Sequence, residues 1–120
     1  MMNKIIWLCI LAITISCAGN TIPTTGPHTT GWIDEDTYTV LVTDKNEENA
    51  VQSAQHKILK DIVDVRVRNN SRYTDIIIIR DEFDIPLRNG RIIKQQHTAD
   101  GLTIYYQIRD KGLKKKFQRQ

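Results

Sequence analysis

The sequence predicts a two-layer α+β fold: a small mixed or antiparallel sheet of about four strands under one main helix. Three patterns carry that expectation. Ala50, Val51, Ala54, Ile58, Leu59, Ile62 and Val65 recur three or four apart, the spacing of one helix face. Tyr38, Val40 and Val42 alternate with Thr37, Thr39, Leu41 and Thr43, and Leu102, Ile104, Tyr106 and Ile108 with Thr103, Tyr105 and Gln107, the period of strands with one more buried face. Ile76-Ile77-Ile78-Ile79 is a short β-branched run bounded by polar residues, which suits a central strand. The predicted element order is β-α-β-β-β, with a short helix at the C terminus.

From the N terminus, Met1-Met2-Asn3-Lys4 opens the chain with a positive charge, and an apolar run from Ile5 to Ile15 follows. Ser16 is small, and Cys17 comes next. A charged start, a greasy centre, a small residue and a cysteine make the layout of a bacterial lipoprotein signal. The run is shorter than the ~20 residues needed to span a bilayer. Thr14 stands where such signals usually carry Leu, so an ordinary secretory signal or an unprocessed membrane-touching helix remains an alternative. On the lipoprotein reading, residues 1–16 are removed and Cys17 becomes the lipidated first residue. Residues 17–30 form a tether, because Ala18 to Thr30 is small and polar and is broken by Pro23, Gly26 and Pro27. Residues 31–120 form a single domain with a basic C-terminal tail.

Within that domain, Gly31-Trp32-Ile33 offers an aromatic plug for the core edge. Asp36 to Thr43 reads as the first strand. Asp44 and Glu47 form a capping box for a helix from about Lys45 to about Asp64. Val63, Val65 and Val67 would also fit an extended segment, which leaves the helix end open. Lys57–Asp61 and Lys60–Asp64 are spaced as exposed pairs, and Arg68-Asn69-Asn70-Ser71 is a turn. The expected central strand covers Tyr73 to Arg80. Asn89-Gly90 predicts a hairpin turn into a strand from Arg91 to Gln96, and Asp100-Gly101 predicts a second turn into Leu102–Ile108.

Charge and cysteines bound the chemistry. The formal charge is +3, and the two cysteines are Cys9, inside the apolar run, and Cys17. Processing therefore leaves no pair for a disulfide, and burial must hold the domain together. No serine sits in a nucleophile elbow. His28, His56 and His97 match no zinc spacing. The groups Asp34-Glu35-Asp36 and Asp81-Glu82 with Asp84 lack the alternating ligands and glycine of a calcium loop. No cofactor, metal or catalytic residue is expected, and the chain is read as a non-enzyme. Arg109 to Gln120 carries six basic residues against one acidic residue. Leu113 and Phe117 are four apart, so a helical turn can dock them while the cations stay wet. The binding face is expected at the basic tail, with Lys114, Lys115, Lys116 and Arg119 as candidate interaction residues, at the Tyr105 side of the last strand, or at an open strand edge. Anionic lipid headgroups, acidic glycans or an acidic protein face would be drawn to such a tail, and a solvated terminus is the plainer alternative. Nucleic acid is not an expected partner of an exported, tethered protein.

Four pieces of the chain resemble the LPP20-like family of bacterial envelope lipoproteins, in particular the short spirochaete versions. They are Cys17; the segment from Gly31-Trp32-Ile33-Asp34 to Val40; Ala50, Ala54 and Gln55 on the helix; and the closing stretch from Gly101 to Lys115. The resemblance implies an α+β module at the cell envelope, linked in some relatives to motility structures or outer-membrane integrity, with no catalytic residues to carry over. The resulting expectation is a lipid-anchored protein, placed at the outer membrane, that presents a small domain to an envelope protein. The alternative expectation is a surface adhesin that binds host proteins through the basic tail.

Overall fold

A computed structural model of the chain describes residues 30–120, so Cys17, the signal segment and all but the last residue of the tether lie outside it. The described residues form β1 (Gly31–Asp34), β2 (Thr37–Asp44), α1 (Glu47–Arg68), α2 (Ile76–Glu82), α3 (Asp84–Arg88), β3 (Arg91–Thr98), β4 (Gly101–Arg109) and α4 (Leu113–Phe117). The α+β expectation is met: a four-stranded antiparallel sheet in the order β1-β2-β4-β3 lies under a helical layer in which α1 dominates.

The expected element order is corrected to β-β-α-α-α-β-β-α. The Ile run is the reason. Ile76–Ile79 opens helix α2 and is not a central strand. Asp75 caps it, its Oδ1 accepting from the Ile77 and Ile78 amides at 2.9 and 3.4 Å. A cap contributes about 1 kcal/mol, enough to offset the few tenths that each β-branched residue loses in a helix. Ile79 alone of the four is fully buried. The fourth strand is instead Gly31–Asp34, expected only as an aromatic plug.

Asn89-Gly90 is not a hairpin turn. It closes α3, with the Asn89 amide donating to the Ile85 carbonyl at 3.0 Å, and leads directly into β3. Glycine is required at position 90 because a Cβ there would lie 2.4 Å from the Tyr106 ring. Pro86 sits in the first turn of α3, where a missing N–H costs no helical hydrogen bond. The second turn matches expectation: Thr98 pairs with Gly101 around Ala99-Asp100.

The cap of α1 is Asn46, whose side chain accepts from the Asn49 amide at 2.9 Å, and not Asp44. Asp44 instead ends β2 and accepts from the Lys45 amide and the Ser53 hydroxyl. The helix continues through Val63, Val65 and Val67 to Arg68, four residues beyond the expected end, because its buried stripe does not stop at Ile62. Ala50, Ala54, Ile58 and Ile62 are completely buried against β2 and β4. Each large apolar side chain removed from water there contributes roughly 1.5–3 kcal/mol.

The C terminus docks as expected. Leu113 and Phe117 of α4 enter the core, and the Phe117 ring lies 4.6 Å from Trp32, 5.0 Å from Tyr38 and 5.7 Å from Phe83. The Lys114 amide donates to the Glu35 carbonyl and the Gly112 amide to Asp36 Oδ1, so α4 also pins the β1–β2 turn.

Candidate functional site

The four described helices pack on one face of the sheet, since Leu102, Ile104, Tyr106 and Ile108 of β4 are buried beneath them. The intervening residues Thr103, Tyr105, Gln107 and Arg109 therefore face away from the helices. Strand pairing sets their neighbours. Thr37, Thr39, Leu41 and Thr43 of β2 oppose Arg109, Gln107, Tyr105 and Thr103 in turn. On the far side, Arg91 opposes Gln107, Lys94 opposes Tyr105 and Gln96 opposes Thr103.

A bulge in β3 decides which β3 side chains join this face. The register steps from Ile92↔Tyr106 to Lys94↔Tyr105, leaving Ile93 as the extra residue. Without that step Lys94 would point toward the helices. With it, Lys94 stands beside Tyr105, and Gln95 and His97 take the helix side, where both remain exposed.

The face is ordered by side-chain hydrogen bonds. Gln107 Nε2 donates to Thr39 Oγ1 at 3.1 Å, Arg109 Nε to Thr37 Oγ1 at 3.3 Å, and the Thr43 and Thr103 hydroxyls are 2.7 Å apart. Thr37 and Thr39, the acceptors in two of these bonds, are almost fully buried although no described helix covers them. Asp34 lies at the corner. Its carboxyl is held below the usual range, chiefly by the Asp36 amide, then by the Thr37 hydroxyl, with the Arg109 charge a lesser contributor. Arg91 and Lys94 are exposed and form no ion pair among the described residues. The surface is thus a polar, net positive plane with Leu41, Tyr105 and Lys94 in a row across its middle.

The tail residues sit differently. Lys114 lies 3.8 Å from Glu35 and 6.0 Å from the Trp32 ring centre. Lys116 pairs with Asp110 at 2.7 Å. Arg119 lies 3.5 Å from Glu82, over the Tyr73 ring. Lys115 is the one of these four with no carboxylate partner among the described residues. The structure gathers the four cations around α4 but does not bring them together with Tyr105, which lies on the sheet face opposite the described helices.

The acidic groups have structural tasks. Asp36 accepts from the Gly112 amide, Asp84 pairs with Arg88 at 2.9 Å, and Glu82 meets Arg66. His56 lies exposed on α1 and His97 on β3. No cluster of three or more metal-ligating side chains occurs among the described residues. Nor is any helix among them long and apolar enough to cross a membrane.

Arg66 is the residue that sequence reasoning missed. It is completely buried, and all of its donor directions are used. Nε donates to the Phe117 carbonyl, Nη1 to the Tyr73 carbonyl, and Nη2 to the Lys116 carbonyl at 2.6 Å. The two Nη atoms also grip Glu82 in a bidentate pair at 3.1 and 3.0 Å. The signal was its spacing: Ile58, Ile62 and Arg66 fall four apart on the buried stripe.

Comparison of the chain with protein-family models, with curated proteins and with solved structures finds no match.

Proposed function

We propose that this chain is a lipid-anchored cell-envelope protein, of the kind found in the LPP20-like family, that presents a small non-enzymatic interaction domain. One observation carries the reading: Cys17 follows Lys4, an apolar run and Ser16. Diacylglycerol on its thiol and a further chain on its amine would anchor it durably, where a single acyl chain holds only marginally. The tether from Ala18 to Thr30 then lets the domain stand off the outer membrane.

On this reading the sheet face opposite the described helices meets the partner. It is positive and preordered, and Arg91 and Lys94 form no ion pair among the described residues. An adhesin acting through the tail has weaker support, because Lys114, Lys116 and Arg119 already face carboxylates of this chain.

Mass spectrometry of the mature N terminus tests the anchor. The expected result is a chain that begins at Cys17 and carries acyl mass. An unmodified thiol on a protein that washes freely from cells overturns the reading. Pulldown from envelope extracts with Arg91→Glu/Lys94→Glu and, separately, Lys115→Glu tests the face. Loss of partners with the first variant and their retention with the second is expected.

A further inference from the structure

A hollow of about 310 Å³ lies between α1 and the α2–α3 segment. Every residue that lines it belongs to those three helices. Leu59 of α1 and Leu87 of α3, both almost fully buried, give it an apolar base.

One wall is fixed by hydrogen bonds. The Tyr106 hydroxyl donates to the Leu87 carbonyl at 2.7 Å. Gln55 Nε2 donates to the same carbonyl at 3.1 Å and reaches the Tyr106 oxygen at 3.3 Å. A carbonyl can only accept, so the amide nitrogen of Gln55 is the atom turned toward Leu87. Gln55 Oε1 is left without a donor among the described residues.

The charges around the hollow do not cancel. Its one carboxylate, Asp84, already accepts from Arg88 Nε at 2.9 Å. Asp81 and Glu82 do not line it, and Glu82 is gripped by Arg66. Arg80 does line it, is exposed, and has neither an ion pair nor a hydrogen-bonded side chain among the described residues. His56, from α1, is likewise unengaged there. The hollow between α1 and the end of β2 differs in this respect. Lys60 and Asp64 both line that one without an ion pair, so it favours neither sign.

We propose that the hollow between α1 and α2–α3 binds a small 2-hydroxy carboxylate. The carboxylate meets the Arg80 guanidinium, whose planar fork suits two oxygens at once. The hydroxyl donates to Gln55 Oε1, and the hydrocarbon part lies over Leu59 and Leu87. Ligand pockets start at about 300 Å³, so this one takes a ligand of few heavy atoms. The site does not depend on Cys17 or on the sheet face, and its failure would leave the anchor reading untouched.

The test titrates the purified full chain with lactate, propionate and methyl lactate and follows the magnetic resonances of its amides and side chains. Lactate is expected to shift residues 52–59 and 80–88 saturably. Propionate, which lacks the hydroxyl, should bind about 3-fold more weakly, and methyl lactate, which lacks the charge, about 10-fold more weakly. Arg80→Gln should weaken lactate by about 10-fold as well, while Asp81→Asn, a neighbouring change outside the hollow, should leave it unaltered. Absence of a saturable shift up to about 50 mM lactate overturns the proposal. Equal affinity for lactate and methyl lactate also overturns it, as does wild-type affinity in Arg80→Gln. Tighter binding of inorganic phosphate than of lactate would show that charge alone is recognised, and the 2-hydroxy carboxylate would be the wrong ligand. Nuclear Overhauser contacts from residues before 30 to His56 or Arg80 in the ligand-free chain would make the chain itself the occupant and overturn the proposal too.

Discussion

The last turns of α1 and its middle turns face opposite circumstances. At the C-terminal end, Arg66 is sealed beneath Phe117, Tyr73 and Glu82, and every polar atom it offers has a partner. Along the middle turns, Lys57 and Lys60, the latter in no ion pair with Asp64 among the described residues, overlook the Val40–Asp44 stretch of β2, whose backbone bonds to β4 on one side and to no described residue on the other. The closed end joins α1, α2 and α4 through the hydrogen bonds of a single side chain. The open side spends little on its own closure and leaves main-chain groups accessible. A small domain with no disulfide among its described residues can keep an accessible edge when its rigidity is concentrated elsewhere.

Breaking the closed end should have the largest effect. Arg66→Ala leaves the Tyr73, Lys116 and Phe117 carbonyls without their donor and strips Glu82, whose side chain is only 23 % exposed, of its bidentate partner. Removing one member of such a buried pair costs about 3–5 kcal/mol. Against the roughly 5–15 kcal/mol that holds a domain together, the variant should be largely unfolded near its working temperature. Urea denaturation followed by circular dichroism measures this. Glu82→Gln keeps an acceptor for Arg66 and should cost clearly less. Equal losses in the two variants would mean that the carbonyl contacts are not what fixes this end.

The two regions were unequally visible beforehand. Strands β2 and β4 were legible because alternation survives in their residues, and the docking of Leu113 and Phe117 followed from spacing alone. Ile76–Ile79 misled because β-branching describes a side chain's comfort in a sheet, while Asp75, placed directly before the run, describes where a helix begins. Once β1 takes the outer edge, no fourth place remains for the Ile run. Arg66 was hidden because a cation on a buried stripe reads as the end of that stripe. Its partners at positions 82, 116 and 117 lie 16, 50 and 51 residues on and meet it only after folding. The Tyr105 row depends on a bulge at Ile93 that no local pattern announces.

Tyr38 lies between the two regions, touching Phe117 on one side and bonding Asp61 on the other. Burial, then the Asp61 hydrogen bond and charge, raise its hydroxyl above the ordinary value. A raised value means that the folded state holds the proton more tightly than the unfolded chain. The stability contribution is therefore complete below about pH 10, where an unfolded tyrosine is protonated, and is lost as pH rises beyond it. Tyr38→Phe should cost about 1 kcal/mol near neutrality. It should also remove the part of the alkaline decline that wild type shows above pH 10. Melting curves of both proteins between pH 7 and 11 check this, and parallel declines would show that Asp61 does not hold the Tyr38 proton.

The smallest effect should come from the contact that joins the end of β2 to α1. The Ser53 hydroxyl donates to Asp44, and this bond, ahead of the Lys45 amide, holds the Asp44 carboxyl below its usual range. A depressed carboxylate stabilises the fold above the unfolded value near 3.9 and loses that contribution as pH falls through the folded value. Ser53→Ala should therefore be slightly less stable than wild type at neutral pH, and the two stability curves should converge in acid. The same variant should speed amide exchange at Thr43 and Asp44 and leave exchange around Arg66 unchanged, because the contact belongs to the open side alone. Faster exchange at both places would mean that the two regions are coupled through α1, and the division between a rigid end and an accessible edge would no longer stand.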